Sequence, residues 1–319
     1  MNEFEIIEHY FKAAHPTTKG NLKLGIGDDA AILNVSEDSE LLISMDTLVA
    51  GVHFPESAVP EDIAYKSLSV NLSDIAAMGG LPRWVSLALT LPDYNPAWLE
   101  RFASGFNQLA EAAAVVLIGG DLTKGPLSIT LQIHGVAPKG KSLRRHGANV
   151  GDLIYVTGKL GAAAYALKCL QGEYSEAATI EEQQRLNRPE ARYRTGLALR
   201  DVASSCIDIS DGLFADLNHI LQASQVGAEL FLEELPYSDS LAKLDKDVAI
   251  ELAIAGGDDY ELCFTLPRDL PESVIEALQA ICPIHCIGKI TALESGVKLI
   301  DQADTIYPFE SKRGYRHFS

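Results

Sequence analysis

Aspartates that follow apolar stretches or stand near glycines are the residues of this chain most able to do chemistry. They are Asp28, Asp29, Asp46, Asp121, Asp208, Asp211, Asp258 and Asp259. Carboxylates at the ends of strands, next to glycines that let a ligand approach the backbone, are the hard oxygen donors that Mg²⁺ prefers. Asp and Gly are also common turn residues, so a turn is the simpler explanation of any one site. Five such sites in one chain favour metal binding instead.

Asp74 adds a carboxylate from a different kind of element. The segment 60–78 reads as a helix that begins at Pro60, and Asp74 lies three residues after Asn71, so both side chains project from one face. A ligand-binding face and an ordinary solvated helix flank fit this spacing equally well. Both interpretations stay open at this point.

The number of carboxylates indicates the kind of substrate. One Mg²⁺ site uses one or two carboxylates together with substrate phosphates, so six or more aspartates indicate several ions around a polyphosphate. Two phosphorylated molecules repel each other, by about 4 kcal/mol for unit charges 4 Å apart at an effective dielectric constant of 20. Metal ions offset this repulsion. The aspartates therefore predict phosphoryl transfer between two anionic substrates.

The usual nucleotide-binding motifs are missing from the sequence. There is no G-x-x-x-x-G-K-[ST], and the H-R-D and D-F-G set of protein kinases is absent. The glycines at 25 and 27 imitate a dinucleotide fingerprint, but Asp28 and Asp29 would face the pyrophosphate and the next residues read as strand. Basic residues are few, and Arg144 and Arg145 suit either a phosphate contact or a solvated linker. A nucleotide-binding enzyme of this sequence would belong to another class.

The segments that must position these residues alternate between strand and helix. Strict alternation of apolar and polar residues over 127–136 predicts a half-buried antiparallel strand. The polar and basic segment 138–151 separates two halves, so we expect an N-terminal domain over 1–140 and a C-terminal α/β domain over 148–319. Both halves lack the regular rhythm of a doubly wound sheet. The fold class is therefore mixed α/β (α+β) in two domains, with a mixed sheet and helices in the first.

Charge and composition exclude several kinds of partner. The 319 residues include 26 Lys and Arg against 44 Asp and Glu, a formal net charge of −18, which would repel nucleic acid and anionic membranes. No stretch approaches the roughly 18 apolar residues of a membrane span, and the acidic N-terminal segment does not read as a secretory signal. Five cysteines, an odd number and widely spaced except for Cys282 and Cys286, fit a reduced compartment better than a disulfide scaffold. We expect a cytoplasmic protein with no nucleic-acid or membrane partner.

Six motifs occur in order at residues 25–30, 44–54, 66–79 (with Asn-Leu-Ser-Asp at 71–74), 118–121, 209–213 and 256–262. Together they closely resemble the thiamine-monophosphate kinase family, and the resemblance extends from about residue 3 to residue 318. The stretch Asp-Thr-Leu-Val-Ala-Gly-x-His-Phe is the most specific, because the wider aminoimidazole ribonucleotide synthase superfamily shares the aspartate and glycine motifs but not this stretch.

This resemblance implies an activity and a set of site residues. The activity is transfer of the γ-phosphoryl group of ATP to thiamine monophosphate, giving thiamine diphosphate. The implied Mg²⁺ ligands are Asp29, Ser44, the carbonyl of Met45, Asp46, Asp74, Asp121, Asp208 and Asp211. The implied ATP contacts are Gly120, Asp121, Arg145 and Ser210, and the implied contacts to the thiamine substrate are His53, Asp258 and Tyr315. Asp258 stands where the family often has Glu, so its side chain reaches about one bond less far.

The resemblance also implies a two-domain aminoimidazole ribonucleotide synthase-like fold and a homodimer. The N-terminal halves of two subunits would pair through their sheets, so that 1–140 would bind ATP and Mg²⁺ and form the dimer. The pairing is an expectation by analogy.

No residue is expected to act as a general base. A phosphate monoester has a second pKa near 6, so the acceptor is already largely ionised at pH 7. Catalysis is then positioning and charge neutralisation by metal ions. Two other functions remain open at this stage: a superfamily synthase that activates an amide or formyl oxygen with ATP, and a non-catalytic module that binds ATP and Mg²⁺.

Overall fold

The computed structural model describes residues 2–15, 21–174 and 176–308, and these divide into two units. Unit 1 extends to Ser142 and unit 2 begins at Leu143, except that Ala76–Gly79 belongs to unit 2.

Unit 1 is built on a mixed four-stranded sheet. Strands β3, β6 and β4 are antiparallel neighbours, and β5 pairs in parallel with β4 at the edge. A separate antiparallel pair, β1 and β2, precedes them. The elements are α1 (Glu3–Ile6), a π-helical turn (Ile7–Lys12), β1 (Leu22–Leu24), β2 (Ile32–Leu33), β3 (Ser39–Val49), α2 (Pro60–Ala77), β4 (Leu81–Leu91), α3 (Pro96–Ala112), β5 (Val116–Lys124) and β6 (Ser128–Pro138).

The alternation of apolar residues in the sequence puts one face of this sheet in the core. Ile129, Leu131 and Ile133 of β6 are all at most 1% exposed, which confirms the predicted half-buried strand. Helix α2 crosses the sheet so closely that a Cβ on Gly135 would lie 2.8 Å from Ile75. This contact brings the polar residues of α2 close to the strands.

The edge strand β3 exposes apolar side chains on the opposite face. Leu41, Ile43 and Met45 are 41%, 56% and 60% exposed, and they alternate with half-buried residues on the helix side. An edge strand with exposed apolar residues is a template for pairing with another chain. Unit 1 therefore has a face suited to association.

Unit 2 is built on a mixed six-stranded sheet of order β12-β9-β11-β7-β10-β8. Only the pair β12 and β9 is parallel. The elements are β7 (Leu153–Thr157), α4 (Ala162–Leu170), α5 (Ile180–Asn187), α6 (Tyr193–Leu199), β8 (Ser205–Asp208), α7 (Leu213–Ser224), β9 (Gly227–Phe231), α8 (Lys246–Ala255), β10 (Leu262–Leu266), α9 (Glu272–Ile281), β11 (Ile284–Thr291) and β12 (Val297–Ile300), with short 3₁₀ turns at Leu232–Glu234, Leu241–Lys243 and Leu293–Ser295.

Strands β7 and β10 are buried almost throughout because helices cover the sheet. Ile154, Val156 and Cys263 are fully buried and pack with Leu213 and Ile220 of α7 in one apolar cluster. This core fixes the positions of the segments that leave β8 and precede β10, where the motifs of this unit lie.

The mixed α/β fold agrees with the prediction, but two aspartates are not where the sequence placed them. Asp46 and Asp121 were expected at strand ends, whereas β3 continues to Val49 and β5 to Lys124. Both therefore lie inside strands, since the ladders to neighbouring strands extend past them. Asp208 does end its strand, β8. No helix in the described ranges is both long and apolar enough to cross a membrane.

Candidate active site

A cavity of about 780 Å³ in unit 1 brings two of the glycine and aspartate motifs together. Its lining includes Asp28 and Asp29 from the segment after β1, and Gly119, Gly120 and Asp121 from β5. This volume is within the range of small-molecule sites. The cavity therefore unites an expected metal ligand, Asp29, with the expected ATP contacts of β5.

Gly120 is required where β5 borders this cavity. Its φ is +155°, and a Cβ at this position would lie 1.8 Å from the carbonyl oxygen of Leu87 in the neighbouring strand β4. Any side chain would force the two strands apart. Asp121 follows directly and is exposed, so its carboxylate is available to a ligand.

Ser44 and Asp74 meet elsewhere in unit 1. The hydroxyl of Ser44 on β3 donates a 2.5 Å hydrogen bond to Oδ2 of Asp74 on α2. Asp46 lies two residues after Ser44, on the same face of the strand, because strand side chains alternate. Met45 points to the other face and its side chain is 60% exposed, so only its carbonyl suits a ligand role.

Helix α2 does not present a solvated flank at Asn71. Asn71 and Ser67 are fully buried, and the Asn71 amide donates to the Ser67 carbonyl at 3.0 Å. The Asn71 oxygen Oδ1 is buried with no hydrogen-bond partner in the described chain. The solvated-flank interpretation is wrong here, and an unsatisfied acceptor one turn before Asp74 indicates that something outside the protein completes this region.

His53 is held in one orientation by the backbone. Its Nδ1 accepts a 3.0 Å hydrogen bond from the Val49 N–H, so the ring proton of the neutral imidazole is on Nε2. The ammonium of Lys66, only 4% exposed, donates to the His53 carbonyl at 3.4 Å. Lys66 begins the motif at 66–79 but was given no role from the sequence, although a lysine within an apolar helical segment is a signal that it has a buried partner.

In unit 2 the segment after β8 wraps around a buried carboxylate that the sequence analysis did not single out. Oδ2 of Asp216, in the first turn of α7, accepts hydrogen bonds from the N–H groups of Ser210 at 2.9 Å and Asp211 at 3.0 Å. Burial, together with the negative charges of Asp208 and Asp211, raises the pKa of Asp216 to about 7. An aspartate in the first turn of a predicted helix was the available signal.

The other expected residues of unit 2 have different surroundings. Asp208 is buried, Ser210 and Asp211 are half-buried, and Asp258 is half-buried with a left-handed φ of +69°. Arg145 is exposed, and its carbonyl accepts a 3.3 Å hydrogen bond from Ser224. Tyr315 lies outside the described residues.

The donor atoms in both units fit Mg²⁺ in kind. They are carboxylate, hydroxyl and carbonyl oxygens, with a buried unpartnered oxygen at Asn71. In residues 2–15, 21–174 and 176–308, no group of three or more His, Cys, Asp or Glu residues is close enough to hold a metal ion. Mg²⁺ commonly takes one or two carboxylates and completes its shell with phosphate oxygens and water, so this arrangement is compatible with an ion that binds together with a phosphorylated substrate.

Two family descriptions match the chain. "AIR synthase related protein, N-terminal domain" matches residues 27–137, and "AIR synthase related protein, C-terminal domain" matches residues 149–300. The chain therefore belongs to the AIR synthase related family, a class of two-domain α/β proteins. This membership confirms the predicted fold class.

Comparison with individual proteins shows which members of this class the chain resembles. Thiamine-monophosphate kinase of Escherichia coli K12 is 46% identical over 99% of this chain and 98% of its own length. The crystal structure of the Stenotrophomonas maltophilia thiamine-monophosphate kinase is 41% identical, with a TM-score of 0.86 over 94% of this chain and 96% of that one. A structure described as AaThiL complexed with AMPPCP and TMP is 32% identical, with a TM-score of 0.76 over 99% and 97%.

Within the AIR synthase related proteins, the chain belongs to the thiamine-monophosphate kinase family. The resemblance drawn from the six motifs is confirmed, and so is the interpretation of the chain as a kinase rather than a synthase or a non-catalytic module.

Replacing Asp216 with Asn should remove a pH-dependent cost to stability. The unfolded acid loses its proton near pH 3.8 and the folded acid near 7, so the free energy of unfolding falls as pH rises between these values. Asn keeps an acceptor for both N–H groups but carries no charge. The measurement is urea unfolding in EDTA. The free energy of unfolding of Asp216→Asn, relative to that of the native protein, should increase by on the order of 2 to 3 kcal/mol from pH 5 to pH 8. Asp38→Asn, at an exposed turn, is the control; a difference that does not change with pH would contradict the assignment.

Proposed function

We propose that this chain transfers the γ-phosphoryl group of ATP to the phosphate of thiamine monophosphate, forming thiamine diphosphate and ADP. The observation that carries the proposal is the cavity beside Gly119-Gly120-Asp121, which has exposed carboxylates at Asp29 and Asp121. It occurs in a chain whose relatives are thiamine-monophosphate kinases, one of them described in complex with the ATP analogue AMPPCP and TMP. The reaction is the last step in making thiamine diphosphate.

The proposed roles divide the site residues by ligand. ATP contacts Gly120, Asp121, Arg145 and Ser210, and the thiamine substrate contacts His53, Asp258 and Tyr315. Gly120 lets β5 lie directly against the backbone of Leu87 in β4, and this contact holds the strand at the border of the cavity. The N–H of His53 Nε2 is the group that this ring can donate, because Nδ1 is already occupied.

Magnesium ions are the proposed cofactor, several to each site. The residues that would hold them are Asp29, Ser44, the Met45 carbonyl, Asp46, Asp74, Asp121, Asp208 and Asp211. Bound Mg²⁺ would neutralise the charge of the transferring phosphoryl group. The oxygen-only donor set and the unpartnered Asn71 oxygen support this choice.

The protein's own residues supply position rather than proton transfer. The acceptor phosphate is largely ionised at pH 7 and needs no base. Ser44 restrains the Asp74 carboxylate through its short hydrogen bond, and Asp216 restrains the backbone of Ser210 and Asp211. Fixed donors of this kind stabilise a transition state without reorganising as the reaction proceeds.

Incubation of the purified chain with ATP, Mg²⁺ and thiamine monophosphate tests the proposal directly. Chromatography should show thiamine diphosphate and ADP in equal amounts. Inorganic phosphate released from ATP with closure of a ring in an amide or formyl substrate would indicate a synthase. Nucleotide binding without any turnover would indicate a non-catalytic module.

Asp46→Asn and Asp74→Asn should each lower kcat by at least about 100-fold and shift the Mg²⁺ titration to higher concentration. Each variant keeps the shape of the side chain and loses the charge that a cation requires, and removal of one such electrostatic group typically costs 10²–10³ in rate. The measurement is initial rate against Mg²⁺ concentration, with Asp38→Asn as the control. Unchanged Mg²⁺ titrations in both variants would refute the ligand roles.

We also propose that the chain is a homodimer joined through the exposed face of β3. Ile43 and Met45 present apolar surface on an edge strand, which a second copy with the same face would cover. The proposed division of labour places ATP binding and dimerisation in 1–140 and the second α/β domain in 148–319.

Ile43→Glu should convert the dimer to a monomer. A charge on the covered face would be desolvated in the dimer and would repel its symmetry-related copy. Light scattering during size-exclusion chromatography should give twice the chain mass for the native protein and once the chain mass for Ile43→Glu. Val150→Glu, at an exposed apolar residue of unit 2, should leave the mass doubled. A native protein that is monomeric at 50 μM would contradict the proposal.

The cytoplasm is the proposed site of action. The five cysteines are all free thiols, which is the usual state in a reducing compartment. Nucleic acid is not a proposed partner, because the net charge of −18 would oppose its binding.

A further inference from the structure

The segment 256–260, which joins α8 to β10, has an unusual backbone. Asp258 and Tyr260 have φ values of +69° and +50°, in the left-handed region that residues with a side chain rarely adopt. Such conformations persist only where the surroundings hold them in place. The segment includes Asp258, one of the residues proposed to contact the thiamine substrate.

Two buried carboxylates hold this segment. Asp259 is 6% exposed and accepts a 2.8 Å hydrogen bond from the Gly161 N–H. Glu261 is 1% exposed, and Arg192, itself 8% exposed, donates to both of its oxygens: Nε to Oε2 and Nη2 to Oε1, each at 2.7 Å. Thr157 adds a 2.5 Å hydrogen bond to Oε2. A two-point pair of this kind fixes the rotation of the carboxylate as well as its position.

The chain next to the Glu261 carboxylate leaves space for it. A Cβ on Gly158 would lie 2.2 Å from Glu261 Oε1, so the glycine makes room for it. Burial alone would lower the pKa of Arg192, but its hydrogen bonds and charge attraction with Glu261 raise that pKa overall. The guanidinium therefore stays charged and the pair stays intact.

The backbone on either side of Glu261 is hydrogen-bonded to a second segment, the one that follows β8. The Glu261 carbonyl accepts the Ile209 N–H at 2.8 Å, the Tyr260 N–H donates to the Ile209 carbonyl at 2.8 Å, and the Asp258 N–H donates to the Ser210 carbonyl at 2.9 Å. A Cβ on Gly257 would lie 2.6 Å from that same Ser210 oxygen. Segments 208–211 and 256–261 are thus one hydrogen-bonded assembly, which we call the paired segments.

We propose that Glu261, clamped by Arg192, is a positioning residue that sets the geometry of the paired segments for phosphoryl transfer. Glu261 acts on the substrates only through backbone atoms, because its carboxylate is buried and engaged with Arg192, Thr157 and, at 3.4 Å, Arg185. The inference rests on the proposed function, since the paired segments include Ser210 on the ATP side and Asp258 on the thiamine side.

Glu261→Gln tests this role against a matched control, Glu182→Gln. Glu182 is likewise buried in unit 2, at 3% exposure, but it bonds to Thr179 and Ser238 and not to the paired segments. We expect Glu261→Gln to lower kcat/KM for thiamine monophosphate by about 100-fold and to raise KM, because misplacement by about 1 Å has this effect. Glu182→Gln should stay within threefold of the native protein. A rise in KM is the decisive readout, since partial unfolding lowers the apparent kcat and leaves KM unchanged.

Arg192→Lys provides a second test of the positioning role if the Glu261→Gln protein does not fold. Lysine keeps the charge but loses the two-point contact, so a loss of about tenfold is expected, smaller than that of Glu261→Gln. Native KM and kcat in either variant, once its circular dichroism shows it to be folded, would overturn the proposal. Failure of both variants to fold would overturn it too, because the pair would then serve folding alone.

Nucleotide affinity distinguishes a failure of the positioning role from a failure of the proposed function. If the native protein forms no thiamine diphosphate, the proposed function fails, and the Kd for Mg²⁺ and AMPPCP measured by calorimetry becomes the test. Glu261→Gln should weaken that Kd about tenfold through Ser210, whereas an unchanged Kd would reject the positioning role.

Discussion

Repulsion between negative charges is the constraint on which the rest of this structure depends. A chain with a net charge of −18 has, by the proposed function, to bring two phosphorylated molecules to a site lined by carboxylates. The cost of placing negative charges together is visible at Asp216, whose pKa rises to about 7 through burial first and then through the nearby charges of Asp208 and Asp211.

Two groups of carboxylates in this protein differ in their burial. Those proposed to meet cations at the cavity of unit 1, Asp29 and Asp121, are exposed, so water and ions can screen them. Those that hold the backbone are buried and matched with donors: Asp216 and Asp259 with N–H groups, and Glu261 with Arg192. A buried charge is costly unless it is paired and hydrogen-bonded, so these pairs are also what makes their positions definite.

Glycines make this arrangement possible, since the backbone itself has to come close to its neighbours. Gly120 lies against Leu87 beside the cavity, and Gly257 lies against Ser210 in the paired segments. At both positions a side chain would collide with the neighbouring backbone, so the glycines are what allow these close contacts.

Much of this could be predicted from the sequence, and the remainder could not for identifiable reasons. Motifs of adjacent residues, such as Gly119-Gly120-Asp121, can be recognised in the sequence because their members are neighbours in the chain. Asp46 was wrongly placed at a strand end because its own charge interrupts the apolar run, while the backbone ladder continues to Val49.

The pairing of Glu261 with Arg192 gave no sequence signal, although Glu261 itself lies in the motif at 256–262. The two residues are separated by 69 positions, so their contact exists only in the folded chain. The roles assigned to the site residues of both units stay predictions. Local spacing identifies the candidate residues, and the contacts that hold their segments become visible only in the structure.

On the proposed function, cations reverse the sign of an acidic site so that it can accept polyphosphate. The thermal midpoint of the protein, measured in EDTA, with ATP alone, with Mg²⁺ alone and with both, tests this directly. We expect little change with either component alone and a large rise with both, which corresponds to about 2.7 kcal/mol at a ligand concentration 100 times Kd. An equal rise with ATP in EDTA would contradict this expectation, because the site would then attract the nucleotide without any cation.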